Sequence, residues 1–175
     1  MPCAAPEIAL VWLIHSARVS PLYTQKEAAL TYLIALRGKK NSGKSQTIRT
    51  AIEMLTDNYP DATIEHNHTT KKDIQTVLTI NGRKIGIDSQ GGSLDAFVNA
   101  GCDVIVCATR TSGPTVNAVK ALQGFDVQWI DQPEQSQAHE QILRSIAMAR
   151  QIVERVEALI RSAKPAPART MSASA

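Results

Sequence analysis

The stretch GKKNSGKS at residues 38–45 decides how this chain of 175 residues should fold. It stands between the apolar run TYLIAL at 31–36 and the segment 45–55, whose apolar residues recur at helical spacing. A short apolar run that stops at Arg37-Gly38 is typical of a buried strand, and the spacing of the apolar positions after it is typical of one helix face. The sequence therefore predicts a strand, a glycine-rich loop and a helix in direct succession.

The residue types within this loop are those that a phosphate group requires. Gly38 and Gly43 let the backbone curl so that consecutive N–H groups point inward at phosphate oxygens. The helix that follows directs the positive end of its dipole at the same place. Lys44 can reach β- and γ-phosphates as a compact cation, and Ser45 offers a hydroxyl group to Mg²⁺. The loop therefore predicts a bound nucleoside triphosphate with magnesium.

The order G-x-x-x-x-G-K-S is the Walker A pattern, and through it the chain resembles the P-loop NTPase superfamily over roughly residues 31–159. The resemblance implies a three-layer α/β fold with a mostly parallel sheet. It also implies Mg²⁺ and ATP as cofactors, with GTP as the alternative nucleotide. The residues implied to contact the nucleotide are Gly38, Lys39, Lys40, Asn41, Ser42, Gly43, Lys44, Ser45, Gln46 and Gly91.

A second similarity concerns a smaller group within that superfamily. Residues 40–45, together with Ala62-Thr63-Ile64 running into His66 and His68, are similar to the molybdopterin-guanine dinucleotide biosynthesis adaptor proteins. The segment that follows the two histidines departs from that family, so its substrate is not carried over.

The remaining chain alternates strand and helix patterns. Strands are predicted at 62–64, 75–80, 84–87, 103–108 and 127–130, and helices at 94–100, 114–122 and 133–161. Asn81-Gly82 between two alternating runs predicts a hairpin, and hence one antiparallel strand at an edge of the sheet. The last helix is expected to have Leu143 and Ile146 on its apolar face, together with Val153, Val156 and Ile160.

The alternation predicts an α/β domain over 31–162, with 1–30 as an N-terminal extension and 163–175 as a disordered tail rich in Pro, Ala and Ser. The net charge is +3, from 19 basic and 16 acidic residues, which is too small to make nucleic acid the expected partner. Three cysteines exclude a disulfide framework. No apolar stretch is long enough to span a membrane, so we expect a cytoplasmic protein with no membrane partner.

Asp88 is the candidate for a second element of the nucleotide site. An apolar strand that ends in aspartate is typical of a Walker B carboxylate, which holds the Mg²⁺ shell. The order Asp88-x-x-Gly91 also resembles the switch motif of GTPases, whose glycine N–H meets the γ-phosphate. The alternative is that Asp88 opens a glycine-rich turn and does no more. Ser45 and Asp88 are thus the predicted metal ligands.

Arg110 follows the predicted strand at 103–108, at the edge of an open α/β sheet where ligands bind. There it can stabilise the charge of a transferring phosphoryl group or hold a phosphate of a second substrate. The alternative is a surface arginine beside a helix cap. The predicted catalytic residues are Lys44, Asp88 and Arg110.

Two weaker patterns lie between residues 65 and 72. His66-x-His68 can place two imidazoles on one side of a strand, which suits a metal, but a polar loop is the favoured interpretation because no third ligand has a fitting spacing. Thr69 or Thr70 is a candidate for a switch threonine that touches Mg²⁺, if the GTPase comparison holds.

Three functions fit these residues. Phosphoryl transfer from ATP to a small-molecule or nucleotide acceptor is favoured; an NTP-hydrolysing switch with a protein partner and a nucleotide-binding adaptor with little turnover are the alternatives. Neither 103–108 nor 127–130 is followed by the Asn/Thr-Lys-x-Asp pattern with which GTPases recognise guanine. For that reason ATP is expected in preference to GTP.

Overall fold

The computed structural model describes residues 31–69, 73–92, 94–135 and 137–162, and the side chains of these residues other than 66–69. The predicted extension at 1–30 and the predicted tail at 163–175 lie outside the described residues, as does Thr70.

The described residues form six strands and four helices in alternation. The strands are β1 (Thr31–Arg37), β2 (Thr63–Thr69), β3 (Ile74–Ile80), β4 (Arg83–Asp88), β5 (Val104–Thr109) and β6 (Phe125–Asp131). The helices are α1 (Lys44–Asn58), α2 (Leu94–Asn99), α3 (Pro114–Ala121) and α4 (Ala138–Ser162). The predicted α/β class is confirmed.

The six strands form one sheet in the order β2-β3-β4-β5-β1-β6. Only β3 runs against the others, since it pairs antiparallel with both β2 and β4 while the remaining pairs are parallel. The mostly parallel sheet is therefore confirmed. The prediction that the reversed strand lies at the edge is wrong, because β2 pairs along its outer side.

The register brings the ends of three parallel strands together. Arg37 of β1 lies opposite Thr109 of β5 and Asp131 of β6. The three segments that follow these strands therefore leave the sheet at the same edge, side by side. This is the edge where ligands bind in open α/β sheets.

The turn at Asn81-Gly82 forms as predicted. Asn81 has φ 52° and Gly82 has φ 74°, so both central residues are left-handed. This is the requirement of the two-residue hairpin turn that matches the twist of the strands, and it explains why Asn-Gly occurs there.

Helices cover both faces of the sheet, which gives three layers. Ile34 and Leu36 belong to a buried cluster with α1 and α4, whereas Leu33 and Ala35 belong to a second cluster with α2 and α3. The alternation along β1 is the two-residue period of a strand that is buried on both faces.

The long final helix differs from its prediction. It begins at Ala138, and Leu143 and Ile146 are 64% and 36% exposed. Its buried stripe contains Ser145, Ala149, Ile152, Val153, Val156, Leu159 and Ile160. Because each helical residue advances by about 100°, Leu143 lies nearly opposite Ser145 and faces away from the sheet.

The segment with two histidines is also different from its prediction. His66 and His68 lie within β2, opposite Val77 and Gln75 of β3, and do not form a loop. Pairing with β3 accounts for the strand despite its polar composition. A polar sequence is tolerated here because β2 is an edge strand.

Candidate functional site

The loop that follows β1 turns twice before it enters α1. Its first residue, Gly38, donates its N–H to the carbonyl of Thr109 at 3.2 Å, which ties the loop to β5. Asn41 at φ 63° and Gly43 at φ 85° are both left-handed. These two conformations fold the backbone back on itself, although the sequence analysis assigned this curl to Gly38 and Gly43, and Asn41 takes the place of Gly38.

The N-terminus of α1 is uncapped by any side chain. Gly43 occupies the cap position and makes no side-chain hydrogen bond, and the first turn contains no acidic residue. The first N–H groups of a helix have no partner within the helix, and the helix dipole adds a partial positive charge at this end. The start of α1 therefore favours an anion.

The ammonium group of Lys44 lies inside the curl of the loop. It donates to the carbonyl of Gly38 at 2.9 Å and to that of Lys39, and it lies 3.4 Å from the Ser42 hydroxyl. Burial lowers the pKa of Lys44, and the positive charge of Arg110 lowers the same pKa further. Arg110 is thus close enough to Lys44 for the two cations to repel.

Both glycines of the loop are required by close contacts. A Cβ at Gly38 would lie 2.7 Å from the carbonyl oxygen of Gln132 and from the hydroxyl of Ser42. A Cβ at Gly43 would lie 2.9 Å from the Ser145 hydroxyl, in a conformation that side chains rarely adopt. The loop therefore sits directly against the end of β6 and against α4.

Gln132, to which the sequence analysis assigned no role, supports the loop on its buried side. Its side-chain N–H donates to the carbonyl of Ser42 at 2.6 Å, and its side-chain oxygen accepts from the Thr47 hydroxyl at 2.8 Å. Only 2% of Gln132 is exposed. The only available signal was its position immediately after the last strand.

This contact also fixes the direction of a loop N–H group. In a planar trans peptide the C=O and N–H groups point in opposite directions. Because the Ser42 carbonyl points at Gln132, the N–H of Gly43 points away from Gln132 and out of the core. Gln132 thus orients one of the amides on which the phosphate prediction depends.

A cleft of about 280 Å³ lies at the start of α1. Its lining consists of Asn41, Gly43, Lys44, Ser45, Gln46 and Gln141. Gln141 of α4 donates to the carbonyl of Asn41 at 2.9 Å, so α4 forms one wall. Lys39 and Lys40 are exposed, and Lys39 pairs with Glu134 at 3.3 Å. Five of the ten residues predicted to contact the nucleotide thus border one cleft, and Lys44 is the cation among them.

Asp88 stabilises the turn that follows β4. One of its carboxylate oxygens accepts from the N–H of Gln90 at 2.7 Å and the other from the N–H of Gly92 at 2.9 Å. Asp88 is 3% exposed and lies opposite Cys107 of β5. Since β5 separates β4 from β1, Asp88 lies two strand spacings, about 10 Å, to the side of β1. Asp88 therefore does form the hydrogen bonds expected of a residue that opens a glycine-rich turn, which was the alternative interpretation of this aspartate.

The same turn is fixed on both of its sides. Gly91 at φ 70° approaches β5 so closely that a Cβ there would lie 2.5 Å from the carbonyl oxygen of Ala108. Ser89 exchanges two hydrogen bonds of 2.9 Å with the backbone of Ile74. The segment 88–92 is therefore held between β3 and β5.

Arg110 stands directly after β5, beside the start of the loop. Its N–H donates to the hydroxyl of Thr115 at 3.1 Å, and its side chain is exposed. Gly113 precedes α3 without a side-chain cap, and Pro114 begins that helix. A second uncapped helix N-terminus thus opens at the edge of the sheet that carries the loop.

Asp131 is the acidic residue at the end of β6, and Arg37 neutralises it. The Arg37 guanidinium forms two bonds with this carboxylate, at 2.6 and 2.9 Å, and stacks 5.3 Å from the Trp129 ring centre. The hydrogen bond to Arg37 lowers the pKa of Asp131. The negative charge at the end of β6 is therefore balanced by Arg37.

The residues of the cleft fit a magnesium ion held mainly by phosphates. Mg²⁺ usually takes one or two protein oxygens and obtains its other ligands from phosphates and water. The Ser45 hydroxyl borders the cleft on the first turn of α1 and can be one of these oxygens. Among the described residues no group of three or more His, Cys, Asp or Glu is arranged to hold a metal.

None of the helices in the described part of the chain combines the length and the apolar character needed to cross a membrane. Comparison of the chain with known protein families, with curated proteins and with solved structures finds no match. The resemblance to P-loop proteins thus depends on the residues of the chain alone.

Proposed function

We propose that this chain binds a nucleoside triphosphate, with ATP preferred, and that residues 38–45 act as a Walker A loop. The uncapped start of α1 supports this most directly, because two left-handed residues lead into it and the Lys44 ammonium lies beside it. Loop amides, helix dipole and lysine all favour the same ligand, a group with several negative oxygens.

The neighbouring cations favour phosphoryl transfer as the reaction. Lys44 and Arg110 repel each other across the loop edge, and this repulsion is relieved when an anion lies between them. A γ-phosphate bound in the loop would be such an anion. An acceptor would approach it from the side on which Arg110 lies. Arg110 and the start of α3 would then hold the acceptor, a small molecule or a nucleotide that carries a phosphate or carboxylate group.

Mg²⁺, when bound, would neutralise charge on the phosphates and polarise the γ-phosphoryl group. Ser45 would hold it directly, and Asp88 would act at most through water, given its bonds to the turn. Lys44 would leave the carbonyls of Gly38 and Lys39 for the β- and γ-phosphates. Gln132 would keep the N–H of Gly43 directed at the same oxygens.

The turn 88–92 favours transfer over a nucleotide switch. A switch segment must change conformation when the γ-phosphate leaves. Here Asp88 bonds two amides of the turn, Ser89 bonds β3, and Gly91 lies against β5. Such a fixed segment suits a rigid support for the active site.

Titration of the full chain with a fluorescent ATP analogue and Mg²⁺ tests the proposal. Lys44→Ala is expected to weaken binding roughly tenfold to a hundredfold, because a charge-assisted contact to phosphate is worth about 1.5–3 kcal/mol. Lys120→Ala, which removes an exposed lysine from α3, is the matched control and should bind normally.

The reaction class is tested by following γ-phosphate with and without candidate acceptors. If ATP loses its γ-phosphate only when an acceptor is present, the result supports phosphoryl transfer. If phosphate is released steadily to water without an acceptor, the result supports the switch. Binding with neither reaction supports an adaptor. No binding of ATP or GTP by the wild-type chain would refute the nucleotide proposal altogether.

A further inference from the structure

The first turns of α4 carry an unusual apolar surface. Five large apolar side chains are exposed among the described residues, and three of them lie close together there: Ile142 at 58%, Leu143 at 64% and Ile146 at 36%. Single exposed apolar residues are ordinary, but a cluster marks a surface that is covered in the functional state.

A groove of about 380 Å³ includes one member of this cluster, Leu143. It is lined by Gln135, Glu140, Leu143, Arg144 and Ala147. The last four are spaced i, i+3, i+4 and i+7, so they form one stripe along α4 that faces away from the sheet. We call this stripe the outer face of α4.

The outer face carries two opposite charges that no neighbour neutralises within the described residues. Glu140 and Arg144 are one turn apart on α4, and neither side chain takes part in a described ion pair or side-chain hydrogen bond. A partner with only acidic or only basic residues would satisfy one of these charges and repel the other.

We propose that the outer face of α4 binds the same face of a second copy of this chain, with the two helices antiparallel. In a twofold interface, if residue i contacts residue j, then j also contacts i. Placing Glu140 opposite Arg144 of the other copy therefore forms two ion pairs at once. The twofold axis then passes through the level of residue 142, which is midway between residues 140 and 144. Leu143 is one residue, or about 1.5 Å along the helix, from this axis, so the Leu143 side chains of the two copies contact each other.

The proposed interface is small, and its small area determines how tightly the dimer should bind. Stable protein interfaces bury about 800 Å² on each partner, which is more than one helix face of two to three turns provides. We therefore expect a dimer that dissociates in the micromolar range. The proposal does not depend on nucleotide binding, because it uses none of the loop residues 38–46.

Sedimentation or light scattering of the full chain over a range of micromolar concentrations tests this proposal. Glu140→Arg and Arg144→Glu should each raise the dimer dissociation constant at least roughly tenfold, since each places like charges opposite each other twice. Glu154→Arg makes the same charge change on an exposed residue about four turns away from Glu140 and should leave the constant unchanged.

A mixing experiment distinguishes a second copy from any other partner. Glu140→Arg carries two arginines on the outer face, and Arg144→Glu carries two glutamates. Mixed together, the two variants can form a heterodimer in which every charge meets its opposite, so the mixture should dimerise better than either variant alone. The double variant should also regain the wild-type constant.

Three results would overturn the proposal. One is a wild-type chain that stays monomeric at the highest concentration. Another is a single charge variant that dimerises as the wild type does. The third is a mixture that associates no better than its components. Circular dichroism of each variant checks the fold, which should stay intact because Arg144 and Glu154 are exposed and Glu140 is only half-buried.

Discussion

The side-chain amide of Gln132 donates a 2.6 Å hydrogen bond to the carbonyl of Ser42, and the same side chain accepts from Thr47 at 2.8 Å. One buried glutamine thus joins the end of β6 to the glycine-rich loop and to the first turns of α1. The loop is held in its curled form by this contact as well as by its own glycines. This gives Gln132 a positioning role that can be tested separately from phosphate contact.

Gln132→Leu should destabilise the fold and weaken nucleotide binding together. It leaves the Ser42 carbonyl without the Gln132 donor, at a cost of about 1–3 kcal/mol for a buried polar group, while the Thr47 hydroxyl keeps only its 3.2 Å bond to the Gly43 carbonyl. Chemical denaturation measures the first effect and ATP titration the second. Gln128→Leu, on the strand β6 that precedes Gln132, is the control. Wild-type affinity in a destabilised Gln132→Leu would show that the loop keeps its shape without this contact.

Asp88→Asn should lower stability before it affects any reaction. Asparagine can accept one of the two turn N–H groups, but its own NH₂ then faces the other, so about 1–3 kcal/mol of unfolding free energy is expected to be lost. If Asp88 also acts on Mg²⁺ through water, turnover should fall more than ATP affinity. Asp126→Asn, on an exposed residue of β6, is the control. Unchanged stability would contradict the bonds described for Asp88.

Arg110→Ala should slow transfer or raise the KM of the acceptor, while ATP affinity changes little. Because the positive charge of Arg110 lowers the pKa of Lys44, the same variant should also raise the pKa of Lys44. Kinetics with nucleoside monophosphates as test acceptors measures the first effect, and NMR titration of the Lys44 ε-carbon the second. Arg150→Ala on α4 is the control. An unchanged Lys44 pKa would mean that the two cations do not interact.

Alkaline pH should destabilise the fold through Cys107. Burial raises the pKa of this thiol to about 12, from 9.0 when exposed. Above pH 9 the unfolded chain releases the thiol proton while the folded chain keeps it, so stability is complete below pH 9 and falls as pH rises toward 12. The expected slope is about 1.4 kcal/mol for each pH unit.

Denaturation between pH 8 and 11 checks this slope against Cys107→Ala. The variant lacks the thiol, so its free energy of unfolding should fall less steeply as the pH rises. Removal of the sulfur atom also lowers stability by an amount that does not depend on pH, and this does not affect the slope. Cys102, whose pKa burial raises to about 11, provides a second variant with the same expectation. Equal slopes in all three proteins would rule out buried thiols as the source.

The features that the sequence predicted correctly are those fixed by neighbouring residues. The loop before α1 and the hairpin at Asn81-Gly82 both depend on a few residues that adopt left-handed conformations, and the buried strand β1 was predicted from an equally local apolar run. Placing Arg110 beside the loop also needed only one topological rule, that strand ends of a parallel sheet share an edge.

The features that sequence analysis missed depend on distant contacts. Gln132 is an ordinary polar residue until the loop is folded against it. The spacing of Leu143 assigned it to the apolar face of α4, but it lies nearly opposite Ser145, and only the stripe through Ser145 is buried. In the same way, the polar composition of β2 does not predict a strand, and β2 is a strand because it pairs with β3.

The position of β1 has a consequence for how the protein is made. β1 leaves the ribosome before every other described strand, yet it pairs with β5 and β6, whose residues Val104 and Phe125 lie opposite Tyr32 and Thr31. Such distant pairings form slowly because a long loop of chain must first be closed. The glycine-rich loop therefore stays an open, basic segment of the nascent chain until residue 132 has emerged. A polypeptide cut short before that residue would carry the whole Walker A pattern and still lack the structure that gives the pattern its shape.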